Sequence, residues 1–150
     1  MPAEVGQPAP DFALKDENNQ DVKLSDLKGE TVVLMFYPLD FSPVCSGEHC
    51  SMRDTFYKDF EAAGAKVYGV SRDSTWTHKA FRDQENIPYS LLADMNGKVA
   101  KDYGAWLDKF GIAERVTAII GPDGNIAFLD KTENPLVARD WSKILNSIKN

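Results

Sequence analysis

Long apolar runs are missing from this 150-residue chain, and nothing in it approaches the roughly 18 consecutive apolar residues that a membrane span requires. Met1 to Pro10 carries neither a basic flank nor an apolar stretch, so no secretory signal is expected. Basic residues are outnumbered: the net charge is −6 and the sequence pI about 4.9. That balance argues against a nucleic-acid or anionic-membrane partner and serves solubility. Histidine and cysteine are scarce, two of each. A structural zinc site wants four ligands at closed spacing. Cys45, His49 and Cys50 offer three, and His78 falls on a different expected helix, so both histidines are expected at the surface. The Cys-x-x-Cys of thioredoxin-type thiol–disulfide exchange is absent too, because the spacing here is Cys-x4-Cys. Two cysteines this close, with no export signal, point to a reducing compartment such as the cytoplasm, where a disulfide is catalytic or sensing more often than structural.

What is present argues for a folded protein. Apolar residues make up 43% and aromatics 11% of the chain, which excludes a disordered segment. The length fits one domain over residues 1–150. No repeat, linker or low-complexity tract divides it.

The chain is organised around Phe36 to Cys50. An apolar run from Thr31 to Tyr37 leads in, as expected of a central parallel strand covered on both faces. Met52, Phe56, Tyr57, Phe60 and Ala63 lead out at helical spacing, with Gly64 as C-cap. Ser42 is placed to cap that helix through its hydroxyl, and Pro43 suits the first helical position. Cys45 then falls in the first turn, where free backbone N–H groups and the helix dipole favour the thiolate, the reactive form of cysteine. Glu48 is open to two readings: a carboxylate favoured by the dipole, or one that shapes a site around Cys45.

The remaining elements read in order. Val5 to Pro10 is an extended arm. Asp11–Leu14 and Val22–Leu24 are short strands about the turn at Asp16–Asn19, and Ser25–Gly29 is one helical turn. Lys66–Val70 is a buried strand. Thr75–Gln84 is a helix with Trp76, Ala80 and Phe81 inward. Ser90–Ala93 is a strand, and Gly97–Tyr103 a short helix. Arg115–Ile120 and Asn125–Leu129 form a hairpin about Gly121–Gly124. Pro135–Ile148 is a closing helix with Leu136, Trp141, Leu145 and Ile148 inward. Strands alternating with helices imply a largely parallel sheet with helices on its faces. The final hairpin and helix make this an α/β chain of thioredoxin type: a mixed central sheet flanked by helices, with an N-terminal β extension.

Pro38-Leu39-Asp40-Phe41-Ser42-Pro43-Val44-Cys45 resembles the peroxiredoxin motif Pro-x-x-x-Thr/Ser-x-x-Cys. Val33–Pro38, Leu91–Asp94, Tyr103-Gly104 and Arg115–Gly124 also look like that family, so the resemblance runs along essentially the whole chain. Within the family the chain is similar to the peroxiredoxin Q, or bacterioferritin comigratory, branch, whose second cysteine lies five residues after the first. Its Phe-Ser-x-x-Cys-x-Gly-Glu wording also resembles the alkyl hydroperoxide reductase E branch. The resemblance implies a peroxidase of hydrogen peroxide and organic hydroperoxides that needs no cofactor. Cys45 would be the peroxidatic thiolate that becomes a sulfenic acid. Ser42 would hold the peroxide where many members have Thr, Pro38 would shield the site from water, and Arg115 would supply a cation to the thiolate and the transition state.

Cys50 is the only thiol in the chain that could condense with that sulfenic acid, as the Q branch implies. Five residues of helix place the two side chains about 140° apart, with a rise of about 7.5 Å, beyond the roughly 4.4–6.8 Å that a disulfide spans. The bridge therefore requires the first turns to unwind, with Ser46-Gly47 as the weak point, and a thioredoxin-like protein would reduce it. The alternatives are a one-cysteine cycle completed by an external low-molecular-weight thiol or a glutaredoxin-like protein, and a thiol sensor that reacts once and does not turn over. The branches in question include monomers and dimers, so the expected state is a monomer or weak homodimer.

Overall fold

In the computed structural model, which describes residues 3–149, the strand Thr31–Phe36 (β3) has strand neighbours on both sides. Its residues are β-branched or long and apolar, and all from Val32 onward are buried. Successive side chains point to opposite faces of a sheet. Val32, Leu34 and Phe36 accordingly enter one apolar cluster, and Val33 and Met35 enter another. A strand that buries both faces has no place for a charge, and this one carries none.

The other long strands are Ala65–Ser71 (β4), Val116–Ile120 (β8) and Ile126–Lys131 (β9). With Ala13–Lys15 (β1), Asp21–Lys23 (β2) and Ser90–Ala93 (β5) they form one sheet in the order β2-β1-β5-β4-β3-β8-β9. Only β3–β4 and β4–β5 pair in parallel; the other neighbours are antiparallel. The expectation of a largely parallel sheet is corrected here. Parallel neighbours need a crossover helix, and only two connections have one. A separate hairpin, Trp106–Leu107 (β6) with Ile112–Ala113 (β7), was not signalled by any turn motif in the sequence analysis.

Helices cover both faces. On one lie Pro43–Ser51 (α1), Tyr57–Ala62 (α2), Thr75–Glu85 (α3) and Trp141–Lys149 (α5), whose Phe60, Phe81, Trp141, Ile144 and Leu145, with Met52 just past α1, pack with Val33 and Met35. On the other, Val99 and Ala100 of the short helix Lys98–Asp102 (α4) pack with Phe12, Leu34 and Phe36.

Three helical expectations change. The helix after Pro43 is not continuous: Met52–Phe56 forms a π turn between α1 and α2. Ala63, at the end of α2, is exposed, although Gly64 does close the helix, at φ 79°, a conformation that glycine adopts at no steric cost. In α3 the inward residues are His78 and Phe81, whereas Trp76 is 84% exposed and Ala80 is exposed. Ser74 caps this helix by accepting from the Thr77 N–H, which fixes its phase. Finally, α5 begins at Trp141, not Pro135. Asp140 starts it by accepting from the Lys143 N–H at 3.1 Å, and Leu136, 81% exposed, belongs to an irregular segment before it.

Gly69, in β4, faces a crowded spot. A Cβ there would sit 2.7 Å from Leu91 Cδ2 and 3.1 Å from Tyr37 Cε1. Gly69→Ala is therefore expected to cost about 1–3 kcal/mol of stability through overpacking, read as a lowered urea midpoint at unchanged slope. An unchanged midpoint would mean that the Leu91 side chain yields freely.

Candidate active site

The site is built at the end of β3, where the chain leaves the sheet and enters α1. The connecting loop is clamped by buried polar groups. The Tyr37 hydroxyl donates to Asp40 Oδ1 at 2.6 Å, and the Asp40 backbone N–H donates to Asp73 Oδ2 at 2.8 Å. His78 Nε2 faces the Leu92 carbonyl at 2.9 Å. A carbonyl only accepts, so Nε2 carries a proton, and Nδ1 is left facing Asp40 Oδ2 at 2.6 Å. Within this clamp Phe41 is held at φ 68°, a left-handed conformation that a bulky residue adopts only when its surroundings impose it.

Ser42 stands before α1 as expected, but its hydroxyl does not cap the helix. It donates back to the Leu39 carbonyl at 3.1 Å, and the Ser42 carbonyl takes the first helical bond, from the Ser46 N–H. The first-turn N–H groups are thereby left free of side-chain acceptors, and Cys45 sits among them, fully buried. Pro38 is buried at the end of the strand, one residue past Tyr37.

Arg115, 70 positions away, comes to Cys45: its Nη2 lies 3.2 Å from the sulfur. It enters from the start of β8, which pairs with β3. Its other groups are fixed, Nη1 donating to Glu48 Oε1 at 2.6 Å and Nε to the Pro135 carbonyl at 2.6 Å. Glu48 is no solvated helix-start carboxylate; it is buried and shared between two arginines. The second is Arg139, which donates to Glu48 Oε2 from its backbone N–H at 2.7 Å and from Nε at 3.0 Å. Arg139 Nη1 also reaches Thr117 Oγ1 at 2.9 Å, and its Nη2 reaches the Phe36 carbonyl. Buried charge is tolerated where it is paired and hydrogen-bonded. One carboxylate against two guanidiniums leaves one positive charge over, beside the Cys45 sulfur.

Arg139 is the residue the sequence analysis missed. A charged residue inside what read as an amphipathic helix offered no signal; the signal lay in Asp140, whose capping role would have placed Arg139 before the helix. The two histidines were misplaced as well. Both are fully buried. His78 belongs to the clamp. His49 packs edge-on against Tyr37, with ring centroids 4.4 Å apart, and its Nδ1 lies 2.5 Å from the Tyr89 hydroxyl. Burial pushes the Tyr89 phenol well up, so it keeps its proton, and we assign that proton to Nδ1 because the alternative acceptor, Met35 Sδ at 3.9 Å, is weaker. Among the described residues, His49 Nε2 then has no partner.

Cys50 is half-buried at the other end of α1, where its thiol donates to Glu85 Oε2 at 3.5 Å. Both cysteines are free thiols in one intact helix. Cys45, His49 and Cys50 therefore do not converge on a metal position. Among the described residues, Asp40, Asp73 and His78 do bring three potential ligand atoms within 4.8 Å of one another. The atoms concerned are already engaged in the clamp, with Ser71 Oγ donating to Asp73 Oδ2 at 2.5 Å, so the group reads as a hydrogen-bonded latch for the loop. A cavity of about 620 Å³ is lined by Leu14, Trp76 and Met95, away from Cys45.

Comparison with known proteins identifies a family. Residues 5–129 match the AhpC/TSA family. The chain is 44% identical over 125 residues to "Peroxiredoxin Q, chloroplastic" of Arabidopsis thaliana, covering 83% of this chain and 57% of that protein. It is 42% identical over 147 residues to the Sedum lineare protein of the same name, covering 96% of this chain and 78% of that one. The chain thus spans little more than half the length of several of these plant relatives. Among solved structures it superimposes on peroxidoxin BcpB of Mycobacterium tuberculosis with a TM-score of 0.86 at 28% identity, covering 98% of this chain and 97% of that one.

His49 makes folding sensitive to acid. Burial first, then the charges of Arg139, His78 and Arg115, hold its imidazole well below 6.5. It is neutral in the folded chain and protonates near 6.5 when unfolded, so the unfolded state binds more protons as pH falls below that value. Stability should be flat above about pH 7 and then fall by up to about 1.4 kcal/mol per pH unit. Urea unfolding at stepped pH reads this directly, and His49→Leu should flatten the profile between 6.5 and 5.5. The raised carboxyl of Asp40, buried in the clamp, works in the opposite direction at lower pH. An equally steep decline in the variant would acquit His49.

Proposed function

Since the chain belongs to the AhpC/TSA family, in its peroxiredoxin Q and bacterioferritin comigratory branch, we propose that it is a thiol-dependent peroxidase acting on hydrogen peroxide and organic hydroperoxides. The observation that carries this reading is the Arg115 guanidinium 3.2 Å from the Cys45 sulfur, within a buried cluster of two guanidiniums and one carboxylate. The thiolate attacks the terminal peroxide oxygen, the O–O bond breaks, and the alkoxide or hydroxide leaves with a proton as alcohol or water. Cys45 becomes a sulfenic acid. Arg115 stabilises the charge moving between the two oxygens. Ser42, whose hydroxyl is already paired with the Leu39 carbonyl, turns that group toward the peroxide, and buried Pro38 keeps water from the sulfur.

Cys50 then condenses with the sulfenic acid, releasing water, and a thioredoxin-like dithiol in a reducing compartment such as the cytoplasm returns two electrons. The intact α1 holds the two sulfurs apart, so this step follows unwinding of its first turns. The separation equally supports a second reading, in which Cys50 stays in place and an external small thiol or glutaredoxin-like protein reduces Cys45. The working unit in this reading is a monomer or weak homodimer.

Mass measurement after one equivalent of peroxide distinguishes the two cycles. Loss of two hydrogens marks the internal bridge; a gained oxygen with Cys50 still alkylatable marks the one-cysteine cycle and removes Cys50 from the reaction. Cys45→Ser should abolish turnover, and retained activity would refute the peroxidase reading. Arg115→Ala should slow the oxidation of Cys45 by about 10²–10³-fold, the usual cost of losing one donor to developing charge. A rate within a factor of two would take Arg115 out of the reaction.

A further inference from the structure

One contact made by Cys50 has no part in the oxidation of Cys45. The Cys50 thiol donates to Glu85 Oε2 at 3.5 Å, across the gap between α1 and the last turn of α3. One turn further along, Arg53 Nη1 donates to the backbone carbonyl of the same residue, Glu85. The carbonyls in the last turn of a helix lack partners within it, so Arg53 satisfies one of them. Arg53 is itself steered by Asp54, which accepts from Nε at 2.7 Å and Nη2 at 2.9 Å. Two residues one turn apart are thus moored to one residue of another helix, through its side chain and through its backbone.

We propose that Glu85 is a positioning residue for Cys50: its carboxylate docks the Cys50 S–H on α3, so that bridge formation waits for this contact to break. The proposal rests on Cys50 being the thiol that closes the cycle. A carboxylate favours a hydrogen-bonded S–H over a nearby thiolate, since the thiolate would put two negative charges side by side. The groups facing Cys50 bear this out. Burial raises its pKa most, Arg53 opposes that, and Glu85 raises it further by hydrogen bond and by charge, with Asp54 adding to the rise. Tyr89 also faces this sulfur, as a neutral phenol. Cys50 is kept in its unreactive form while docked.

The gated step balances simply. The Cys50 sulfur attacks the Cys45 sulfenic sulfur, an S–S bond forms and the S–O bond breaks, and the hydroxide leaves as water with the proton that Cys50 gave up. The Cys50 sulfur is oxidised and the Cys45 sulfur reduced. Docking slows this step without touching the first, so the sulfenic acid lives longer than an unmoored Cys50 would allow.

The test compares wild type, Glu85→Gln and Cys50→Ser, each oxidised with one equivalent of hydrogen peroxide and quenched over time, from neutral to mildly alkaline pH. Glu85→Gln keeps the side chain's length and removes its charge. It should form the Cys45–Cys50 disulfide about fivefold faster at neutral pH, the change expected when a charge-assisted hydrogen bond becomes a neutral one. Its rate profile should move to lower pH, while oxidation of Cys45 keeps its wild-type rate. A disulfide that forms at the wild-type rate or slower overturns the docking role and leaves the two-cysteine cycle standing. A wild-type protein that forms no disulfide, and behaves like Cys50→Ser, overturns both. Alkylation by iodoacetamide gives a second readout in reduced protein carrying Cys45→Ser: Cys50 should react faster at neutral pH once Glu85 is Gln, and equal rates count against the proposal. Should Glu85→Gln not fold, Glu85→Asp, which draws the carboxylate back from the sulfur, should give the same acceleration with a smaller pH displacement.

Discussion

The structure depends on a buried carboxylate held between two guanidiniums. Glu48 joins Arg115 and Arg139, and through them it ties together the end of β3, the start of β8, helix α1 and the segment that leads into α5. Trp141 adds to the tie by donating from its indole to the Glu48 carbonyl. Charges taken out of water are stable only when their partners are fixed in geometry. Each guanidinium here is therefore also pinned to backbone carbonyls, Arg115 to Pro135 and Arg139 to Val116 and Phe36. The arrangement makes Arg115 rigid, which is what the proposed peroxidase reaction would require of a preorganised donor.

A second polar unit holds the other side of the thiol. Tyr37, Asp40, Asp73 and His78 fix the loop from β3 to α1, and through it the unusual backbone of Phe41. Burial lifts the Tyr37 phenol far above its usual range, so it remains a donor to Asp40 under any physiological condition. The two units share no residue. One sets the charge around the sulfur and the other sets where the helix starts, so the position and the chemistry of Cys45 are specified by separate contacts.

How much of this was legible in the sequence follows from which signals are local. The strand Thr31–Phe36, the hairpin about Gly121–Gly124 and the entry of α1 at Pro43 are written in short patterns of apolar, Gly and Pro residues, and the structure places them within a residue or two. Inward faces of helices were less legible. Trp76 and Leu136 were expected inside on hydrophobicity alone, yet both lie in solvent, while His78 and Arg139 took interior positions because partners far along the chain satisfy them. A buried polar group is identified by its partner, and a partner 38 or 91 residues away leaves no periodicity. Arg115 was placed beside Cys45 through family resemblance, since nothing in the 70 intervening positions would have indicated it. The Ser42 cap failed for a local reason: its hydroxyl turns back to donate to the Leu39 carbonyl, away from the first-turn N–H groups.

The π turn at Met52–Phe56 has a geometric corollary. Such a turn accommodates one residue more than a regular helical turn, and each residue of a helix advances its face by about 100°. Were the same residues wound as a regular helix without this wide turn, the downstream helix could still bury Phe60 against the sheet. The upstream face would then be rotated by that angle, carrying sulfur away from guanidinium and presenting Val44 or Ser46 in its stead. The surplus residue acts as an indexing tooth between two gears, setting which side chain of the first turn meets Arg115.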